Sequence, residues 1–155
     1  MKRCLFLDRD GVINAAPLKG EYIRSWDEFK VLPEAVAWIR LFKAAGYLAI
    51  VITNQRGVAL GLMSEADLLE LHDRMRAELA AQGAVLDDVV YCPHQDGACD
   101  CRKPLPGMVM AAQRKWDIDL AGSLLIGDGE RDRLLAARCR IPFVMVRDGR
   151  VIETC

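Results

Sequence analysis

Short apolar runs alternate with helical patterns along the whole sequence, and this alternation constrains the fold more than any other feature. Five runs have the length and composition of buried strands; they cover residues 4–7, 48–52, 89–91, 124–126 and 143–146. Four helical patterns lie between them and begin near Pro33, Ser64, Pro106 and Glu130. Apolar strands that alternate with helices are typical of a parallel sheet covered on both faces. We therefore predict an α/β fold, a three-layer Rossmann-like parallel sheet of about five strands with helices on both faces.

The length of the chain indicates a single domain. Its 155 residues fit one domain with its own core. The segment between the first strand and Pro33 is too short to fold as a separate cap. We predict one domain over residues 1–155 without a cap domain, so that the functional site is open.

Bulk properties argue against two kinds of partner. The formal net charge is -1, whereas nucleic-acid binders usually carry a basic excess. No apolar run approaches the ~20 residues that span a bilayer. We expect a cytoplasmic protein that binds neither nucleic acid nor membrane. Because no exposed apolar helix face is evident, we also expect a monomer.

Chemically interesting residues follow four of the predicted strands directly. Asp8, Thr53, Cys92 and Asp128 lie at these strand ends. In open parallel sheets, ligands bind beyond the carboxyl ends of the strands. The functional site is therefore expected along this one rim.

Two acid pairs lie on the rim. Asp8 and Asp10 are followed by Gly11, and Asp128 precedes Asp132 by four residues. Either pair alone could be a turn or a helix cap. Two neighbouring carboxylates repel each other unless a cation lies between them, and Mg²⁺ prefers oxygen ligands. Together, the pairs predict a magnesium site.

Polar and basic residues on the same rim suit the oxygens of a phosphate group. Thr53, Asn54 and Gln55 offer a hydroxyl, two amides and backbone N–H groups, while Arg102 and Lys103 offer positive charge. Each group could instead be an ordinary solvated loop. Their coincidence with the acid pairs favours phosphate binding.

Four potential zinc ligands lie within ten residues. Cys92, His94, Cys99 and Cys101 form the pattern C-x-H-x₄-C-x-C. Thiolates and imidazole at such spacing suit tetrahedral Zn²⁺, although incidental thiols are the alternative. Because four protein ligands leave no open position, we expect structural zinc that clamps the loop at 92–101. The other histidine, His72, lies among charged residues of a helix, and we expect it to be solvated.

These motifs resemble a known superfamily. The set Asp8-x-Asp10, Thr53, Lys103 and Gly127-Asp128-x₃-Asp132 is similar, in order and spacing, to the four motifs of the haloacid dehalogenase superfamily. The resemblance covers nearly the whole chain. It implies a magnesium-dependent phosphatase that forms an aspartyl-phosphate intermediate.

The resemblance also implies a role for each residue. Asp8 would attack phosphorus, and Asp10 would protonate the leaving oxygen and then activate water. Magnesium would be held by Asp8, the backbone carbonyl of Asp10 and Asp128, and the phosphoryl oxygens by Thr53, Asn54 and Lys103. Asp132 would support Lys103 or a metal-bound water.

The zinc loop narrows the resemblance to one group. Together with residues 8–14, 53–55 and 102–108, it resembles the heptose-bisphosphate phosphatases, which implies hydrolysis of the 7-phosphate of D-glycero-D-manno-heptose 1,7-bisphosphate during lipopolysaccharide or nucleotide-activated heptose synthesis. The loop is short, close to its length in the histidinol-phosphate phosphatases. Histidinol phosphate or another small sugar phosphate is therefore the alternative substrate. Gln55, Arg56 and Arg102 are candidates for binding the rest of the substrate.

Overall fold

A single twisted sheet organises the chain in the computed structural model, which describes residues 1–155. Six strands are present: β1 (Cys4–Leu7), β2 (Leu48–Asn54), β3 (Asp88–Cys92), β4 (Leu124–Gly127), β5 (Phe143–Arg147) and β6 (Arg150–Thr154). Four α-helices connect them: α1 (Pro33–Ala44), α2 (Glu65–Ala81), α3 (Gly107–Trp116) and α4 (Glu130–Cys139). The predicted α/β class and the absence of a cap domain are confirmed. None of the helices is both long and apolar enough to cross a membrane.

The strand order β3-β2-β1-β4-β5-β6 places the functional rim. Strands β1 to β5 are parallel. The chain runs outward from β1 to β3 and then returns to place β4 on the other side of β1. This reversal is a topological switch point, and ligands of open parallel sheets bind in the crevice that it creates.

Alternating side chains of the central strands build two hydrophobic cores, one on each face of the sheet. Leu5 and Leu7 of β1 enter one core with the apolar stripes of α1 and α2. Cys4 and Phe6 enter the other with α3 and α4. Successive side chains of a strand point to opposite faces, and both faces of this sheet are covered. The central strands are therefore continuous apolar runs in sequence.

The sheet contains one more strand than predicted. Strand β6 pairs antiparallel with β5 through a hairpin at Asp148 and Gly149. Every residue of β6 is exposed, so the strand lacks the apolar run on which the prediction relied. The Asp-Gly turn itself was the available sequence signal, since this dipeptide favours two-residue hairpins.

The prediction that His72 is solvated is wrong. Its side chain lies in α2 and is only 3% exposed. It is four residues after Leu68 and three before Met75, both of which are fully buried. That spacing belongs to the buried stripe of the helix, whereas the neighbouring charges face solvent.

Candidate active site

An open cleft of about 420 Å³ lies at the carboxyl ends of β1, β2 and β4. Most of the predicted catalytic and phosphate-binding residues line it: Asp8, Asp10, Thr53, Asn54, Lys103, Asp128 and Asp132. The loop at 16–21 and residues 129–131 complete the wall. The rim predicted from the strand ends is therefore a continuous concave site.

Lys103 is the centre of a buried charge cluster. Its Nζ lies 2.8 Å from Asp8 Oδ1 and 2.7 Å from Asp132 Oδ1, and it donates to the carbonyl of Ile52 at 3.1 Å. Asp132 Oδ2 in turn accepts the backbone N–H of Asp128 at 3.2 Å. One carboxylate, Asp132, thus orients both the lysine and the loop that carries Asp128.

The charges in this cluster perturb one another. Burial raises the pKa of Asp8 well above its usual range, and repulsion from Asp132 and Asp128 adds to the effect of burial, against the attraction of Lys103. Burial, with repulsion from Asp132, also raises the pKa of Asp128 to about 6. Burial alone would lower the pKa of Lys103, but Asp132 and Asp8 reverse the shift and raise it. The site therefore carries more negative charge than Lys103 neutralises.

The acid cluster fits a divalent cation. Carboxylate oxygens of Asp8, Asp128 and Asp132 lie within 4.8 Å of one another, and oxygen ligands suit Mg²⁺. Gly11 closes this side of the site with φ near +86°, and a Cβ at that position would overlap the Asp128 carboxylate. The excess negative charge and the clustered carboxylate oxygens suit a bound Mg²⁺, and Gly11 leaves room for the Asp128 carboxylate.

The polar residues at the carboxyl end of β2 have two different roles. The Asn54 side chain accepts from the Lys103 N–H at 2.9 Å and donates to its carbonyl at 3.1 Å, so it fixes the lysine backbone. Gln55 is buried and donates to Thr53 Oγ1 at 2.9 Å. Gln55 therefore orients the threonine hydroxyl from behind and does not line the cleft.

Arg9 is a site residue that the sequence analysis missed. It is fully buried, and its guanidinium binds Asp10 through both carboxylate oxygens at 3.0 and 3.2 Å. Asn14 donates to the same carboxylate at 3.0 Å, and Arg9 Nη1 lies 3.1 Å from His72 Nε2. In sequence, an arginine flanked by two aspartates resembles a solvated loop residue. Its burial becomes evident only from its contact with α2.

The structure brings the four predicted zinc ligands together. Cys101 Sγ lies 3.0 Å from Cys92 Sγ and 3.3 Å from His94 Nδ1, and Cys99 Sγ lies 3.5 Å from Cys92 Sγ. All six cysteines are free thiols. All four ligand atoms lie within 4.8 Å of one another, close enough to bind one tetrahedral ion with bonds of about 2.0 to 2.3 Å. The cluster can hold zinc with no position left for substrate.

The arginines predicted to bind substrate lie beside the cleft. Arg56 and Arg102 do not line it. Arg102 is nearly buried and donates through Nε to Asp96 of the zinc loop. Two basic residues that were not predicted, Lys19 and Arg131, do line the cleft. Both residues are exposed and lie in ordinary polar sequence, so no local pattern distinguishes them, and only the folded loops bring them to the cleft.

An aspartate at the switch point with a buried lysine beside it is the arrangement expected of a haloacid dehalogenase-like phosphatase, and the comparisons agree. The HAD-hydrolase-like family model matches residues 100–153. The chain is a phosphatase of this class. Individual relatives that match most of the chain identify a narrower family within this class.

One relative, the D-glycero-β-D-manno-heptose-1,7-bisphosphate 7-phosphatase of Pasteurella multocida, is 37% identical over 98% of this chain and 85% of its own length. The D-glycero-α-D-manno-heptose-1,7-bisphosphate 7-phosphatase of Mycobacterium bovis is 41% identical over 86% of this chain and 70% of its own. This chain belongs to the family of D-glycero-D-manno-heptose-1,7-bisphosphate 7-phosphatases.

A solved structure agrees with the sequence relatives. The D,D-heptose 1,7-bisphosphate phosphatase of B. bronchiseptica, crystallised with magnesium and phosphate, superimposes with a TM-score of 0.86 and 40% identity. The match covers 97% of this chain and 84% of that one. That relative holds the metal predicted here from the acid pairs.

Proposed function

We propose that this chain hydrolyses the 7-phosphate of D-glycero-D-manno-heptose 1,7-bisphosphate, with residues 1–155 acting as one catalytic domain. The observation that carries the proposal is the buried contact of Lys103 with both Asp8 and Asp132, at 2.8 and 2.7 Å. These contacts hold the proposed nucleophile Asp8, the ammonium group of Lys103 and the loop that carries Asp128 in one cluster. The relatives at about 40% identity support the substrate.

Asp8 is the nucleophile in this proposal. Asp8 directly follows β1 and lines the cleft. Its Oδ1 accepts a hydrogen bond from the backbone N–H of Arg9 at 2.8 Å. Attack on phosphorus forms the Asp8–phosphate bond and breaks the bond to the sugar oxygen, which divides one difficult displacement into two easier ones. When bound at the acid cluster, Mg²⁺ supplies positive charge that compensates the approach of two anions.

Lys103 and Thr53 bind the phosphoryl oxygens. Both are buried at the cleft wall, and Lys103 stays charged because two carboxylates raise its pKa. Phosphoryl transfer depends mainly on positioning and charge stabilisation. A protonated lysine in a buried site is well suited to both.

Asp10 transfers the protons. It donates one to the leaving sugar oxygen and accepts one from the water that then attacks the Asp8 phosphate, which releases inorganic phosphate and restores Asp8. Arg9 and Asn14 orient its carboxylate. Arg9 is therefore a positioning residue, since it acts through Asp10.

The cellular location and the oligomeric state of the enzyme are also part of the proposal. Four ligating groups that include three thiols require reducing conditions, which supports a cytoplasmic location. We propose activity as a monomer on a small molecule, without nucleic acid or membrane. Gel filtration of active protein tests the oligomeric state.

Phosphate release tests the proposal directly. Purified protein with added Mg²⁺ should hydrolyse the heptose bisphosphate much faster than histidinol phosphate. Both anomers should be compared, because relatives named for each are similar to this chain. Faster turnover of histidinol phosphate would overturn the substrate assignment.

Replacement of the nucleophile tests the mechanism. Asp8→Asn should lower kcat by about 10³-fold or more, since the covalent step is lost. Asp73→Asn is the matched control, because Asp73 is exposed on α2 and does not line the cleft. Equal activity of the two variants would refute the role of Asp8.

A further inference from the structure

Two arginines from separate parts of the chain converge on one carboxylate beside the cleft. Arg102, which follows the last zinc ligand, donates through Nε to Asp96 Oδ1. Arg131, in the first turn of α4, donates to Asp96 Oδ1 and Oδ2 at 3.3 Å each. Asp96 thus receives two guanidinium groups in the geometry of a bound anion.

The three side chains differ in their exposure to solvent. Arg102 is 9% exposed, and its Nη1 is buried without a hydrogen-bond partner. Arg131 lines the catalytic cleft. Asp96 has 57% of its side chain exposed and lies in the zinc loop, between His94 and Cys99. Arg102 and Arg131 form a cationic cradle, and Asp96 is the most exposed of the three side chains.

An unpartnered buried guanidinium nitrogen indicates that the cradle has capacity for a larger anion. A carboxylate offers two oxygens, whereas a phosphate monoester offers three and carries more negative charge. Buried donors normally find partners. A phosphate could bind both arginines and also reach the nitrogen that Asp96 leaves unpaired.

We propose that Asp96 occupies the subsite for the second phosphate of the substrate in the free enzyme, and that this phosphate displaces it from Arg102 and Arg131. The inference rests on the proposed bisphosphate substrate. It assigns Arg131 to the sugar 1-phosphate and makes Asp96 a competitor that weakens the binding of bisphosphates but not that of simple monoesters. A monoester has no second phosphate, so it leaves the Asp96 contacts in place.

Steady-state kinetics on two substrates test the inference. The heptose bisphosphate reports on both phosphate sites, while p-nitrophenyl phosphate reports on the catalytic site alone. Asp96→Asn should lower KM for the bisphosphate about fivefold, because the competing charge is gone. Arg131→Gln should raise that KM about tenfold, because one of the two guanidinium contacts to the second phosphate is lost. For both variants, the change in KM for the bisphosphate should be clearly larger than any change in KM for p-nitrophenyl phosphate.

Asp100→Asn is the matched control for charge. It removes the same charge from the same exposed loop but leaves the two arginines paired, so its KM for the bisphosphate should stay at the wild-type value. If Asp96→Asn raises KM for the bisphosphate, or matches Asp100→Asn, the displacement model is refuted while the phosphatase assignment stands. If the wild type hydrolyses p-nitrophenyl phosphate but not the bisphosphate, the proposed substrate fails and the inference fails with it.

Discussion

Lys103 Nζ lies 2.8 Å from Asp8 Oδ1, and the lysine side chain is only 3% exposed. Burial of a charge is costly unless opposite charges compensate it. Here two carboxylates do so, Asp8 and Asp132, and the carbonyl of Ile52 accepts a third contact. The cluster that would perform the chemistry is therefore also an electrostatic element of the folded core.

Removal of this lysine should affect stability and activity together. Lys103→Met leaves two buried carboxylates without their partner, so we expect a loss of about 3–5 kcal/mol in the free energy of unfolding. Activity should also be lost. Urea unfolding and phosphate release measure the two effects.

Lys115→Met is the matched control. Lys115 also lies 2.7 Å from a carboxylate, that of Asp88, but its side chain is 62% exposed. An exposed pair contributes about 1 kcal/mol or less. Similar destabilisation by both substitutions would show that burial does not govern the Lys103 cluster.

Gly11 should be essential for activity beyond its backbone conformation. Gly11→Ala introduces a Cβ that overlaps the Asp128 carboxylate, and a displacement of about 1 Å at a catalytic group can cost 10²-fold in rate. We expect kcat to fall by at least about 100-fold. The same loss of rate should appear at every Mg²⁺ concentration that still supports wild-type activity.

Gly46→Ala separates strain from overlap. Gly46 has nearly the same φ, +83°, but no atom within 4 Å of an added Cβ. It should lose about 1 kcal/mol of stability and keep full activity. An inactive Gly46→Ala variant would indicate that general strain, and not contact with Asp128, explains the Gly11 result.

His72 should make the fold sensitive to acid. Burial, with the adjacent Arg9 charge, lowers the pKa of His72 to about 3, below its unfolded value of about 6.5. The unfolded state therefore binds a proton between these pH values while the folded state does not, so stability falls as pH falls below about 6.5. His72→Gln keeps a hydrogen-bond acceptor for Arg9 but cannot titrate.

The measurement is urea unfolding of both proteins from pH 7.5 to pH 5. Relative to the Gln variant, the wild type should lose about 2 kcal/mol over this range. All other titrating groups are common to both proteins and cancel in the difference. A difference independent of pH would mean that the imidazole is not buried in its neutral form.

Zinc should order the loop that precedes Arg102 and Lys103. Cys99→Ser should abolish binding of about one zinc per chain and lower the Tm. Proteases should then cleave within residues 93–100. Metal analysis, thermal unfolding and limited proteolysis measure these changes independently of activity.

Cys155→Ser is the control for loss of a thiol, because Cys155 is exposed and lies outside the cluster. It should retain zinc and resist proteolysis like the wild type. Full zinc content in Cys99→Ser would contradict the four-ligand site.

Several parts of the site followed from local sequence alone. Apolar runs that end at Asp8 and Asp128 indicated parallel strands and a common rim, because strand periodicity and the chemistry of carboxylates are local properties. The spacing of Cys92, His94, Cys99 and Cys101 predicted one cluster for the same reason: all four lie within one ten-residue segment.

Other features depended on contacts between distant segments. His72 was misjudged because its charged neighbours hid a spacing that only core packing makes decisive. Arg9 acquires its role from α2, which covers it and supplies an acceptor 63 positions away in sequence. The pairing of β6 likewise needed the edge of β5.

The sequence by itself determined the type of fold and indicated the candidate catalytic groups and candidate zinc ligands, since these features depend on periodicity or close spacing along the chain. Tertiary structure alone decided which basic side chains are buried in ion pairs and which line the cleft. Arg102 and Arg131 are equally charged in sequence, yet one is nearly buried and the other exposed. That distinction arises because solvent exposure and charge pairing depend on distances between segments that the chain order does not encode locally.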